Sequence, residues 1–207
     1  KVYAEDGINE IQFGYIRRPT HRSTQFAKDR FEVCNHRYSA LCDSSHGAAV
    51  LNDCKYGISM NGNSLELSLL RASASPEMRS DNHIHHFTYA FTAWEGSFLN
   101  CDVVRQGYEL NVPAQIHSGR TKKFSALSIE KENIILESLK PAEDGSLAYI
   151  LRLYESKKAE VRTKVHIGNK RVFLCNMLED PLSELPVVNG CIELDFRAFE
   201  IKTLKII

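Results

Sequence analysis

The sequence lacks an excess of charge of either sign: 26 Lys and Arg residues balance 26 Asp and Glu. That balance removes the broad electrostatic case for a nucleic-acid or anionic-membrane partner. No apolar run approaches the roughly 20 residues that a membrane-spanning helix needs, so no membrane segment is expected. No apolar leader opens the chain, whose first residue is Lys1 rather than Met. The expectation is a segment cut from a longer protein. Tryptophan occurs once, as Trp94, which leaves few flat aromatic platforms. The six cysteines, Cys34, Cys42, Cys54, Cys101, Cys175 and Cys191, form no Cys-x-x-Cys pair. In 207 residues, enough to bury a core without staples, they read as reduced thiols of a cytoplasmic protein. A Gly-rich phosphate loop, a Gly-x-Ser-x-Gly nucleophile turn, an internal repeat and a heptad pattern are all missing.

What is present is mostly β text. Hydrophobic residues make up 43% and charged residues 25%, the balance of an ordinary globular chain. The central stretch is Ala48–Ala72. Ala48–Leu51 reads as a buried strand, followed by Asn52, Asp53, Lys55 and Tyr56 and closed by Gly57. Asn61-Gly62-Asn63 is a hairpin signal, because Asn and Gly accept the positive φ of a primed turn. Leu65, Leu67 and Leu69 then alternate with Glu66 and Ser68, giving one apolar strand face. Polar density at a strand end suits a binding loop. It equally suits a solvated turn in which Asn52 and Asp53 bond locally.

Upstream, Asp6-Gly7 reads as a turn and Ile11–Ile16 as a strand, broken by Arg17–Arg22 around Pro19. Those arginines and His21 make a short basic patch at a strand end. Arg30–Leu41 reads as one strand, 73–82 as a loop and His83–Trp94 as another strand. One helix is expected over 100–111, from the spacing of Val103, Val104, Gly107 and Tyr108, with Asn100 as cap and Pro113 as stop. Residues 114–123 form a polar connector, with a domain boundary at 120. Beyond it, short strands separated by turns argue for a second sandwich. They are Phe124–Ile129, Ile134–Leu139, Ala148–Tyr154, Ala159–Ile167, Arg171–Asn176, Cys191–Phe196 and Phe199–Ile206. The segment 180–186, with its prolines, reads as a break. The strand Ala148–Tyr154 carries apolar residues on both faces and is expected to be central. The fold class is all-β, mostly antiparallel sandwiches, with one short helix near 100–111.

The residues do not assemble a complete active site. In an extended strand Asp81, His83 and His85 would share a face, and two imidazoles at i and i+2 can hold one metal ion. Nothing nominates the remaining ligands, so His83 and His85 stand only as bare metal candidates. Asp53 and Asp81 are the loop acids available for a glycosidase pair, but the sequence cannot bring them together. Cys54 beside Lys55 lacks a base and reads equally as a small residue ending a strand.

A set of phrases in order carries a resemblance. They are Ile11-Gln12-Phe13-Gly14, Arg18-Pro19-Thr20-His21-Arg22, Arg30-Phe31-Glu32-Val33-Cys34 and Leu51-Asn52-Asp53-Cys54-Lys55-Tyr56-Gly57. Leu67-Ser68-Leu69-Leu70-Arg71, His86-Phe87-Thr88-Tyr89-Ala90 and Lys140-Pro141-Ala142-Glu143-Asp144-Gly145 follow. Leu151-Arg152-Leu153-Tyr154-Glu155 and Phe199-Glu200-Ile201-Lys202-Thr203-Leu204 complete the set. Together they resemble the C-terminal part of the α-mannosidases of glycoside hydrolase family 38, especially the cytosolic and bacterial branch.

The resemblance implies a retaining, zinc-dependent exo-glycosidase as the parent. Its metal ligands and Asp nucleophile would lie in an upstream α/β domain, followed by a helical domain and the sandwiches. Residues 1–120 would be the C-terminal part of a large mutarotase-like sandwich and 121–207 a small C-terminal sandwich. The chain alone would lack the catalytic domain, carry no catalytic residue and hold no cofactor of its own. Its partners would be the upstream domains of the same protein and mannosides. An open edge of a truncated sandwich would also permit a homo-oligomer.

The loops of the large sandwich approach the sugar in that family. This nominates Asn52, Asp53, Lys55 and Tyr56 as substrate-rim candidates, with Arg71 and Asp81 as second choices. The chain departs from the family where His83 replaces a Gly, and where Ala93-Trp94 replaces Pro-His before Gly96. An altered rim fits altered specificity or lost activity in the parent. The alternative function is an independent carbohydrate-binding sandwich module, which needs an exposed aromatic platform.

Overall fold

The computed structural model describes residues 1–120 and 122–207. Thr121, where the second domain was expected to begin, lies outside the described residues. The described chain is built mainly of antiparallel sheets and divides into two compact units, Lys1–Ile116 and His117–Ile207.

The first unit opens with a hairpin, β1 (Asp6–Ile11) and β2 (Gly14–Pro19). A short helix α1 (Gln25–Asp29) follows, then β3 (Val33–Cys34), β4 (Tyr38–Cys42), β5 (His46–Asn52), β6 (Gly57–Asn61) and β7 (Ser64–Ser68). The unit closes with β8 (Tyr89–Glu95), a single 3₁₀ turn at Phe98–Asn100 and α2 (Val103–Asn111). One sheet has the order β2-β1-β4-β5-β8 and the other β3-β6-β7. The Asn-Gly signal closes the β6–β7 hairpin, where Gly62 has φ 56°.

One face of the larger sheet is sealed by the 3₁₀ turn and α2. Phe98 meets the rings of Tyr15 at 5.0 Å and Trp94 at 6.5 Å, both edge-on. Gly107 of α2 lies against Tyr38, where a Cβ would sit 3.6 Å from the ring. At this margin the Glu10 carboxylate, nearly fully buried, accepts from Arg37 N and Nε. The Arg37 guanidinium stacks 3.6 Å from the centroid of the Tyr108 ring. The charge is thus buried paired, as the low dielectric demands.

The second unit contains β9 (Ser128–Ile129), β10 (Ile134–Pro141), β11 (Tyr149–Glu155), β12 (Val161–His166) and β13 (Val172–Cys175). It ends with β14 (Pro181–Leu185), β15 (Cys191–Phe196) and β16 (Ile201–Ile206). Its sheets have the orders β10-β11-β16-β13-β14 and β15-β12-β9. They enclose a core that includes Leu151, Leu153, Val165, Ile192, Phe196 and Leu204. β11 lies between β10 and β16, and Ile150, Leu151, Leu153 and Tyr154 are all sealed, so both of its faces are covered.

Several local expectations are corrected. Asp6-Gly7 is not a turn: Gly7 lies buried within β1, where a Cβ would strike the Met60 sulfur. The turn falls at Gln12-Phe13 instead, with Phe13 at φ 57°. Residues 30–41 make two strands, because the chain leaves β3 at Asn35 to bring Arg37 to Glu10. Residues 83–88 are not extended strand; pairing begins only at Tyr89. The segment 180–186 forms β14, which its proline tolerates because β14 is an edge strand. The helix expected over 100–111 runs only over Val103–Asn111 and starts from Asp102, while Asn100, expected as its cap, ends the 3₁₀ turn; a second helix was not expected, and Thr24 caps it (α1) by accepting from Ala27 N.

Candidate functional site

The candidate site is the loop that leaves β5. Asn52 is fully buried and works as a bracket. Its Nδ2 donates to His36 O at 2.7 Å, and its Oδ1 accepts from Lys55 N at 2.7 Å. Asn111 of α2 donates its Nδ2 to Asn52 O at 3.1 Å. Asp53 is clasped to the segment before β8. Its N–H donates to Thr88 O at 3.1 Å, and its Oδ2 accepts from Thr88 N at 2.9 Å. The Thr88 N–H, with the Cys54 thiol beside the carboxylate, holds Asp53 below the usual carboxylate range. The Asp53 carboxylate in turn pushes the Cys54 thiol up, outweighing the nearby Lys55 ammonium, so Cys54 has no activated-thiolate character.

Lys55 and Tyr56 are the outward members of the loop. Lys55 Nζ lies 4.9 Å from the centroid of the Phe87 ring, and the Tyr56 ring rests 5.3 Å from His36. Tyr56 is 52% exposed. The loop closes at Gly57, which pairs with Ser68 of β7 and lies against the carboxylate of Glu32, which a Cβ there would displace. Glu32 accepts from the Ser68 hydroxyl and faces Arg71 Nη1 at 3.6 Å. Arg71 therefore emerges, largely exposed, from the strand that closes the loop.

Of the six rim candidates, Asn52 and Asp53 are tied into the scaffold, while Lys55, Tyr56 and Arg71 reach solvent. Asp81 lies in a turn whose backbone oxygen accepts from His83 N and from His85 Nε2 at 2.9 Å. That turn, not strand alternation, brings the His83 and His85 rings to 4.1 Å. Among the described residues no group of three or more His, Cys, Asp or Glu is arranged to hold a metal ion. Thr88, Phe87, His36 and Asn111 were missed at the sequence level. Only Phe87 and Thr88 carried a signal, as neighbours within the phrase 86–90.

The loop 52–57 is thus braced from His36, Thr88 and α2 on an all-β scaffold, and similarity to known proteins says which kind of scaffold it is. Residues 1–79 match the glycosyl hydrolases family 38 C-terminal domain. Residues 133–204 match the glycosyl hydrolases family 38 C-terminal beta sandwich domain. The chain belongs to the C-terminal region of glycosyl hydrolase family 38.

Similar proteins include alpha-mannosidase 2C1 of Homo sapiens, 36% identical over all of this chain and 21% of that protein. Alpha-mannosidase G of Dictyostelium discoideum is 36% identical over all of this chain and 20% of its own length. The chain thus spans about a fifth of the length of the curated relatives it matches. An alpha-mannosidase from Enterococcus faecalis V583 shares the fold, with a TM-score of 0.78 over 99% of this chain and 24% of that one, at 15% identity.

Proposed function

We propose that this chain is the non-catalytic C-terminal sandwich region of an α-mannosidase that hydrolyses terminal α-mannosides. The observation that carries the reading is the doubly bracketed loop 52–57, within a chain whose two halves match the family's two C-terminal domains. A turn needs far fewer bonds than this loop has. The brackets fix Lys55 and Tyr56 in a defined direction, as a rim for a sugar bound in another domain requires. A lysine ammonium donates to sugar hydroxyls, and a tyrosine face packs against the apolar side of a pyranose.

Upstream catalytic and helical domains are the partners in this reading. The zinc of the family belongs to the catalytic domain; no described residue cluster here fits it, and no step is assigned to it. No disulfide joins the cysteines among the described residues, which suits a cytoplasmic protein. No helix among the described residues is long and apolar enough to cross a membrane.

The test compares this chain with the complete protein on an aryl α-mannoside. The expected result is turnover by the complete protein alone. Turnover by the isolated chain in proportion to folded protein overturns the assignment. The exposed Tyr56 also favours a second reading, a self-sufficient mannoside-binding module. Calorimetry of the isolated chain with oligomannose separates the two: heat of binding, lost in Tyr56→Ala, supports the module, and a flat titration supports the accessory region.

A further inference from the structure

The outer face of the sheet β15-β12-β9 is dressed for water. Val165 and Ile192 turn inward to the core of the second unit, and the residues that alternate with them turn out. Arg162 Nε meets Asp195 Oδ1 at 2.6 Å across the strands, and Lys164 Nζ meets Glu193 Oε1 at 3.5 Å. Paired charges are costly to bury, so this face stays in water in a longer polypeptide as well. The third pair in the same row is His166 opposite Cys191.

The ladder brings these two side chains together. Ile167 N donates to Gly190 O at 2.9 Å. The adjoining pair, His166 and Cys191, is therefore of the non-hydrogen-bonded kind, in which Cα atoms stand about 4.5 Å apart and side chains lie closest. A Cβ on Gly190 would lie 3.4 Å from His166 Nε2 and 3.3 Å from Gly168 Cα. The imidazole tip thus sits beside the residue that precedes Cys191, and neither glycine puts a side chain over it. His166 is exposed and Cys191 half-buried. The charged groups next along these strands are Lys164 and Glu193, bonded to each other, and Glu130, bonded to Lys131. β9 places the neutral Ser128 across from His166. The exposed thiols of the first unit are set differently: Cys54 lies beside the Asp53 carboxylate, and Cys34 beside the Arg18 guanidinium.

We propose that His166 and Cys191 form a thiol-exchange site that takes small disulfides. The His166 imidazole accepts the Cys191 S–H proton, and the thiolate attacks one sulfur of the disulfide. A bond forms between Cys191 Sγ and that sulfur as the bond between the disulfide's own two sulfurs breaks. The departing thiolate takes the proton back from the imidazolium and leaves as a thiol. Cys191 is oxidised, the departing half is reduced, and the disulfide is the only oxidant. The product carries one small thiol on the outer face of the small sandwich, and excess thiol removes it. The site is independent of the mannosidase reading.

Glutathione disulfide added to the 207-residue chain and to the complete protein tests the proposal, with labelled peptides followed by mass spectrometry. At pH 7 Cys191 should be labelled ahead of the more exposed Cys54 in both. His166→Gln and His166→Phe should slow labelling of Cys191 about tenfold at pH 7 and leave it unchanged at about pH 9.5, where the thiol ionises without a base. Labelling of Cys34 and Cys54 should not move. Should both variants lower the melting temperature of the second unit, the wild-type pH profile decides: the half-maximal rate at Cys191 should fall at lower pH than that at Cys54. Cys191 labelled no faster than Cys54, an unchanged pH 7 rate in a folded His166 variant, or a Cys191 shielded in the complete protein overturns the proposal. So does one equivalent of zinc that binds the purified chain and blocks labelling of Cys191, which makes the pair a metal site.

Discussion

Glu155 accepts a hydrogen bond from the backbone N–H of Phe199, 44 residues away, at 3.1 Å. The same fully buried carboxylate accepts from Lys157 N, Ala159 N and Asn133 Nδ2. One side chain therefore staples three loops at one end of the small sandwich. Each donor left unsatisfied in a sealed site costs about 1–3 kcal/mol. Glu155→Ala should lower the stability of this unit by about 3 kcal/mol or more, on the order of 15 °C in Tm for a domain this size. Calorimetry should show the second unit melting early while the first keeps its transition. A single unshifted transition would remove the staple from the account.

Acid should weaken the second unit through Asp144. Its carboxylate is held well below the usual range by the Lys205 ammonium and then by Ser146. Lys205 is raised by the same pair. A carboxylate lowered on folding contributes stability that is present above its ordinary value of about 4 and lost as pH falls through the lowered folded value. The lysine's share is present below its ordinary value of about 10.4 and fades as pH rises through the raised one. Asp144→Asn should therefore flatten the urea-midpoint profile between pH 5 and pH 2. An unchanged slope would show that the pair is solvated away.

Gly47 is fixed by the lone tryptophan. It pairs across the sheet with Trp94, and a Cβ on it would collide with the indole and lie 2.8 Å from the Cys42 Cβ. Gly47→Ala should cost about 2 kcal/mol through overpacking, with a shift in indole fluorescence because the ring must move off Phe98. An unshifted spectrum at unchanged stability would contradict this packing.

The all-β class and the strands of the second unit other than β14 were legible because their apolar alternation and turn residues agree. Beneath the loop 52–57 only the strand Ala48–Leu51 could be read. Errors arose where tertiary packing set the residue. Gly7 looks like a turn residue but is small because Met60 occupies its Cβ space. Phe13, no turn residue, takes φ 57° because the hairpin forces it. His83–Thr88 alternates like a strand but is drawn off by the Asp53–Thr88 clasp, which joins residues 35 apart and leaves no local pattern. For the same reason the sequence could not separate Asn52 and Asp53, which build the loop, from Lys55 and Tyr56, which the loop presents.

That separation yields the last prediction. Asp53→Ala removes the acceptor of the Thr88 N–H and should destabilise the first unit by about 1 kcal/mol. Lys55→Ala and Tyr56→Ala remove side chains that brace nothing beyond Phe87 and His36, and should leave its melting within a degree or two. In the complete protein, on the proposed mannosidase reading, the order should reverse in KM. If Tyr56 makes the proposed sugar contact, its loss should raise KM about tenfold with kcat retained, the signature of binding shared by ground and transition states. Asp53→Ala, which loosens the whole loop, should change kcat and KM together, because a displaced rim misplaces the bound sugar. If Tyr56→Ala and Lys55→Ala both kept wild-type kinetics while Asp53→Ala only lowered the melting temperature, loop 52–57 would be a structural bracket and nothing more.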